Sequence, residues 1–284
     1  MASYYEQKLD TWRKTIQLFH NYNRPRFRGP FLTAGFREYK IEQKMGDALG
    51  SKYSIDIVAS NKESWIIVEI TTNGDSKEPK LMEYKNIHPS FLGNCDLEIP
   101  SCQADVMTSR PQPVNDGPFC QIIVGTNLEV KNVSFIRFDK LREALVDASG
   151  ADLSKLPSLS VTLLPDFNTN DIRKGIADQV MQLFEGESRK KRPMDIVDEA
   201  LDKIQDKISG NDRQNLIGKV QELMDSLVNH ELKDYLVKDG LGYYVAKEDC
   251  SDHPATRKKV MGVLKDWAGY TSPQSKLFDF PQHS

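Results

Sequence analysis

Two short apolar runs, Tyr53 to Ser60 and Ser64 to Thr72, each hold a single buried-looking carboxylate: Asp56 in Ile-Asp-Ile-Val and Glu69 in Val-Glu-Ile-Thr-Thr. Their content of Ile, Val, Trp and Thr suits pleated structure. Only Asn61, Lys62 and Glu63 separate them, which predicts an antiparallel hairpin. A turn centred between Lys62 and Glu63 sets Asp56 directly opposite Glu69. Opposed residues project on one face with Cβ atoms about 5 Å apart. A carboxylate taken out of water needs a cation, a donor set or a shifted pKa. Two like charges that close repel unless a divalent cation bridges them, and hard oxygen ligands suit Mg2+ or Mn2+. Thr71 follows on the same strand face as Glu69. The bland alternative is a pair of coincidental solvent-facing carboxylates.

Around this hairpin the chain divides into halves of different character. Leu9, Trp12, Ile16 and Phe19 give an amphipathic helix over residues 3 to 22. Asn23 to Pro30 carries two prolines and a glycine and reads as a loop, in which Arg24, Arg26 and Arg28 interleave with Phe27. Arginine grips phosphate bidentately, so these three are candidate nucleic-acid contacts, against a solvated connection. A second helix is predicted from Thr33 to Leu49, with Ile41, Met45, Ala48 and Leu49 on one face and Glu38 and Glu42 bordering it. A helix is expected from Pro79 to about Ile87, a long loop with five prolines over 88 to 118, strands over Gln121 to Thr126 and Val133 to Phe138, and a helix over Asp139 to Ala148. Ser160 to Leu164 reads as a short strand. The second half reads as helices over Asn170 to Phe184, Met194 to Ile208, Arg213 to Val228 and Pro254 to Trp267. A hairpin over 235 to 246 turns at Asp239 and Gly240. The basic run Arg189 to Arg192 reads as a linker. The expected division is an α/β domain over 1 to 185 and a mainly helical domain over 190 to 284. That second domain has a winged-helix-like pattern, or else it is a helical dimerisation or capping domain.

Composition adds mostly exclusions. A net charge of -3 over 284 residues gives no overall support for nucleic-acid binding, which must rest on local patches. Cys95, Cys102, Cys120 and Cys250 form no CxxC pair and no zinc spacing, consistent with reduced thiols. The polar N-terminus lacks an apolar h-region, and no run approaches a membrane span. Both point to a cytoplasmic protein without a membrane partner.

The motif Asp56, twelve intervening residues, then Glu69-Ile70-Thr71 resembles the PD-(D/E)xK, restriction-endonuclease-like nucleases. In that family an acidic residue on one strand is followed, across a short hairpin, by Glu-x-Lys. Glu38 or Glu42 resembles the glutamate of the family's preceding helix. Lys80-Leu81-Met82-Glu83-Tyr84 is similar to the Gln-Leu-x-x-Tyr of one branch. The likeness covers roughly residues 33 to 146. It implies a mixed central sheet flanked by helices, one or two Mg2+ or Mn2+ ions held by Asp56 and Glu69, and hydrolysis of phosphodiester bonds. The family lysine is Thr71 here, so its role falls to Lys80 or Lys85, or the site is inactive. Val-Glu-Ile-Thr-Thr also looks like the endonuclease domain of segmented negative-strand RNA virus polymerases, which puts His20 beside Asp56, Glu69 and Lys85 or Lys80.

Three expectations follow. The first is a Mg2+-dependent DNA endonuclease of the restriction or defence type, acting as a homodimer where both strands are cut. The second is an RNA endonuclease, and the third a non-catalytic binding module that keeps the fold.

Overall fold

The computed structural model describes residues 4–24, 27–33, 36, 38–46, 52–60, 65–71, 119–126, 129–137, 153–185, 190–247 and 253–270. It is a mixed α/β chain with small antiparallel sheets and helices. Two compact units are formed. One comprises Glu6–Leu159 with Asp206–Ser209, and the other Met1–Tyr5, Ser160–Gln205 and Gly210–Ser284. The sequence pointed to a division between 185 and 190. The contacts divide near 160, so the helix that follows Asn168 belongs with the second half.

In the first unit, helix α1 (Tyr4–Gln17) buries Leu9, Trp12 and Ile16, a stripe at helical spacing. The chain then folds back on the helix end. Gly29 N–H donates to the His20 carbonyl and Phe31 N–H to the Leu18 carbonyl, so carbonyls beyond the last turn find partners. A Cβ at Gly29 would stand 2.3 Å from the Leu18 oxygen, so only glycine permits this approach. Residues read as a loop form a small hairpin instead, β1 (Asn21–Arg24) with β2 (Phe27–Arg28), followed by the single turn α2 (Pro30–Thr33). Phe31 stacks on Phe19 at 4.5 Å between ring centroids and meets Phe36 edge-on.

The predicted helix over 33 to 49 is overturned. Strand β3 (Glu38–Gly46) occupies most of that stretch. Glu38, Lys40, Glu42 and Lys44 alternate with Tyr39, Ile41, Gln43 and Met45, a period of two. Tyr39 and Ile41 are buried while Glu38 and Lys44 are exposed. Strands β4 (Lys52–Ser60), β5 (Trp65–Thr71), β6 (Phe119–Thr126) and β7 (Glu129–Arg137) complete a sheet of order β3-β4-β5-β6-β7. In place of the mixed sheet expected, these strands pair antiparallel throughout. The edge strand β3 is covered at Ile41 by a parallel bridge to Ile208, and the Lys40 ammonium donates to the Asp206 carbonyl. The helices expected over 79 to 87 and 139 to 148, and the loop over 88 to 118, lie outside the described residues.

The second unit contains α3 (Thr169–Glu185), β8 (Lys190–Lys191), α4 (Pro193–Leu201), a 3-10 turn (Asp202–Lys207), α5 (Gly210–Asn229), β9 (Leu236–Lys238), β10 (Tyr244–Ala246) and α6 (Pro254–Trp267). Its sheet has the order β8-β10-β9. The basic run is thus no plain linker. Lys191 enters the sheet and is buried, its ammonium donating to Gln179, Gln182 and Glu199. The helix expected over 194 to 208 stops at Leu201, because Asp202 turns to φ 51. The Asp202 carboxylate accepts from Ser160 N–H. Residues 160 to 164 form no strand. Thr162 N–H donates to the Ala200 carbonyl, and Val161, Leu163 and Leu164 are buried. The β9–β10 turn is closed by Asp239, whose carboxylate accepts from the N–H groups of Leu241 and Tyr243.

Candidate active site

The β4–β5 ladder pairs Ile57 with Val68, Val58 with Ile67, Ala59 with Ile66 and Ser60 with Trp65. The paired stretch ends at Ile57 and Val68, one residue short of Asp56 and Glu69. The β3–β4 ladder adds what the sequence did not. It pairs Ile41 with Ile57 and Gln43 with Ile55, and those pairs bracket Glu42 and Asp56. On the far side Glu69 pairs with Gln121 of β6. Positions 42 and 56 therefore lie level on β3 and β4, and positions 69 and 121 pair on β5 and β6. Three of the four are acidic.

Asp56 is 8% exposed and Glu42 is 4% exposed. Glu42 has φ 53, the left-handed region, which costs a side-chain-bearing residue about 1–2 kcal/mol. A strand residue kept in that conformation at a buried carboxylate marks a position where geometry outweighs local comfort. The Ser54 hydroxyl donates to Glu42 Oε2 at 3.1 Å and so fixes that carboxylate on the face that Ser54 shares with Asp56, two residues on. Like charges about 5 Å apart repel by about 3 kcal/mol at an effective dielectric of about 20.

Among the described residues no group of three or more His, Cys, Asp and Glu side chains is arranged to hold a metal. The side chains of Glu69, Thr71 and Gln121 lie outside that set, as do all of Lys80, Lys85 and Arg26. Two hard oxygen donors, Glu42 and Asp56, lie on one face and are of the right chemistry for Mg2+ or Mn2+.

The remaining candidates separate. Glu38 pairs with Ser60, four residues along β3 and about 13 Å from the row, so it is not brought to it. Thr71 pairs with Phe119. Arg24 and Arg28 are in the small hairpin, where Asn21 pairs with Arg28 and Arg24 with Phe27. His20 lies beyond the end of α1, and its Nδ1 is 3.0 Å from the Tyr39 hydroxyl in a buried hydrogen bond. Tyr39 pairs with Ala59 and so stands on the sheet face opposite to Asp56. Burial pushes the Tyr39 hydroxyl above its usual range, with Asp206 and Tyr22 adding to it, and the His20 ring meets Tyr22 edge-on. Sequence reasoning did not single out Ser54, whose place beside Glu42 depends on the pairing of β4 with β3.

No protein-family model matches the chain, and neither a curated protein nor a solved structure matches it. No described helix is long and apolar enough to cross a membrane.

Proposed function

We propose that this chain is a Mg2+- or Mn2+-dependent endonuclease of the PD-(D/E)xK kind, hydrolysing phosphodiester bonds, with DNA favoured over RNA. Glu42, Asp56 and Glu69 would hold the cation. The observation that carries this is the pair of acidic positions Glu42 and Asp56, level on adjacent strands and buried, with Glu42 held at a left-handed φ. The cation, when bound, supplies positive charge against the phosphorane and eases loss of a proton from water. Ser54 orients the Glu42 carboxylate, and the apolar neighbours Ile55, Ile57 and Val58, all fully buried, keep the strand from shifting its register.

The second unit supports a nucleic-acid substrate on this reading. Its order of helix, strand, helix, helix, strand, strand, with the first strand pairing to the last, is that of a winged helix. Helix α5 exposes Asn211, Gln214, Asn215 and Gln221, and side-chain amides pair bidentately with adenine. Duplex cleavage by one site per chain calls for two copies of the chain.

The test is thermal unfolding of wild type and Asp56→Ala with and without Mn2+, followed by cleavage of DNA and RNA substrates with and without EDTA. A cation that binds only the folded protein stabilises it by about 2.7 kcal/mol at a hundredfold excess over its dissociation constant. The expected result is a rise in the wild-type midpoint that Asp56→Ala lacks, and EDTA-sensitive cleavage. A midpoint indifferent to Mn2+ together with no cleavage of either polymer rejects the proposal in favour of a non-catalytic binding module.

A further inference from the structure

We propose that Arg173, Lys174 and Trp267 of the second unit form an oxyanion site that takes a phosphate group. The site is built where α3 packs on α6. Along α6, Val260, Leu264 and Trp267 recur at helical spacing and are buried. Gly269 then turns at φ 74, a conformation that favours glycine, and the chain folds back so that Tyr270 N–H donates to the Lys265 carbonyl. On α3 two adjacent cations meet aromatic rings. The Arg173 guanidinium carbon lies 5.5 Å from the Trp267 ring centroid. The Lys174 ammonium lies 5.5 Å from the ring of Tyr5 and 5.8 Å from that of Tyr270. All five residues belong to the same compact unit.

Charge and unused donors both call for an anion there. Lys191, Arg192, Arg213 and Lys238 of the same unit each meet a carboxylate. Among the described residues, the charged ends of Arg173 and Lys174 meet only rings, although Asp171 and Asp178 stand three and four residues from Lys174 on the same helix. A ring face orients a cation without neutralising it. Among the described residues, Arg173 Nε and the indole Nε1 of Trp267 are also buried and find no acceptor. Trp267 is 7% exposed, and a buried N–H without an acceptor is costly. Arg173 and Lys174 are half-buried, so a ligand reaches them from solvent. A guanidinium over a ring spends its face and keeps its N–H edge for oxygen. One carboxylate is too small for a guanidinium, an ammonium and an indole N–H together. A terminal phosphate brings about two negative charges and three acceptor oxygens, and a phosphodiester strand brings successive charges.

The experiment titrates the full chain by calorimetry with inorganic phosphate and, separately, with a single-stranded oligonucleotide lacking terminal phosphates. EDTA is present throughout, so metal-dependent cleavage plays no part and the site is tested apart from the nuclease proposal. Wild type is compared with Arg173→Gln, Lys174→Gln and Trp267→Phe, and with Lys258→Gln and Lys259→Gln as exposed cations of α6. Wild type should bind at least one probe. Arg173→Gln and Lys174→Gln should each weaken that binding by about 10–100-fold, the scale of one charge-assisted hydrogen bond. Trp267→Phe keeps a ring but loses the N–H, and should weaken it by about 2–10-fold. Lys258→Gln and Lys259→Gln should change it by about twofold or less, as exposed charges screened by salt. If Arg173→Gln fails to fold, Arg173→Lys keeps the charge over the ring and should still bind, more weakly than wild type. Binding of phosphate alone assigns a small phosphorylated ligand, and binding of the oligonucleotide assigns a strand. Absence of binding by either probe, or losses at Lys258 or Lys259 as large as those at Arg173 and Lys174, would overturn the site.

Discussion

Lys191 and Asp56 are both buried charges, and the two units surround them differently. In the second unit the Lys191 ammonium meets Gln179 at 2.8 Å and Gln182 at 2.7 Å and forms an ion pair with Glu199. Arg213 likewise grips both oxygens of Asp198. Opposite charge and oriented dipoles answer each other there, and nothing further is asked of a ligand. In the sheet unit, Asp56 lies level with the acidic Glu42 of the neighbouring strand, and Glu42 accepts from the Ser54 hydroxyl.

Substitution of buried charge should expose the contrast by sign as well as size. Lys191→Ala is expected to have the largest effect, a loss of about 2–3 kcal/mol in urea unfolding. It strands two amide acceptors and a carboxylate, and the value stays below that of a fully buried pair because Glu199 is 47% exposed. Were Lys191→Ala neutral, the second unit would not owe its order to that cluster. Next, Asp56→Asn in EDTA is expected to raise stability by about 1 kcal/mol, because it removes like-charge repulsion. By contrast, Asp198→Asn should lower it by about 1 kcal/mol, a value reduced by the partial exposure of its pair with Arg213. Equal signs for the two changes would break the comparison.

The smallest effect is a pH dependence. Burial works against ionisation of Asp195, but the hydrogen bonds and charge of Arg192 outweigh it and hold the carboxyl below its ordinary value. A depressed folded pKa contributes stability that is complete above the unfolded value and is lost as pH falls through the folded one. Asp195→Asn should therefore be less stable than wild type at neutral pH by a few tenths of a kcal/mol, as expected for an exposed pair. That gap should close below the ordinary carboxyl range, measured by denaturation at stepped pH. A gap that persists in acid would assign the effect to the helix cap rather than to charge.

Much of the local structure is written in side-chain periodicity. The α1 stripe, the strands holding Asp56 and Glu69, and α5 and α6 follow from apolar spacing alone, and the antiparallel pairing of those two strands follows from the short connection between them. Residues 38 to 46 show where that stops. Glu, Lys, Gln and Met favour helix, and Ile41 and Met45 are spaced for a helical face. Yet charge and apolarity also alternate by two there, with Gln43 blurring the pattern. Pairing with β4 decides between them, because only a partner strand satisfies the extended backbone.

The sequence by itself determined the acidic pair, its hairpin and the helical nature of the second half, since each depends on residues close along the chain. Tertiary structure alone decided that Glu42 rather than Glu38 is level with Asp56, that Ser54 stands beside it, and that Lys191 of the basic run is buried. Those facts depend on which segments pair and in what register. Register is set by the burial of whole strand faces and has no signature at any single residue.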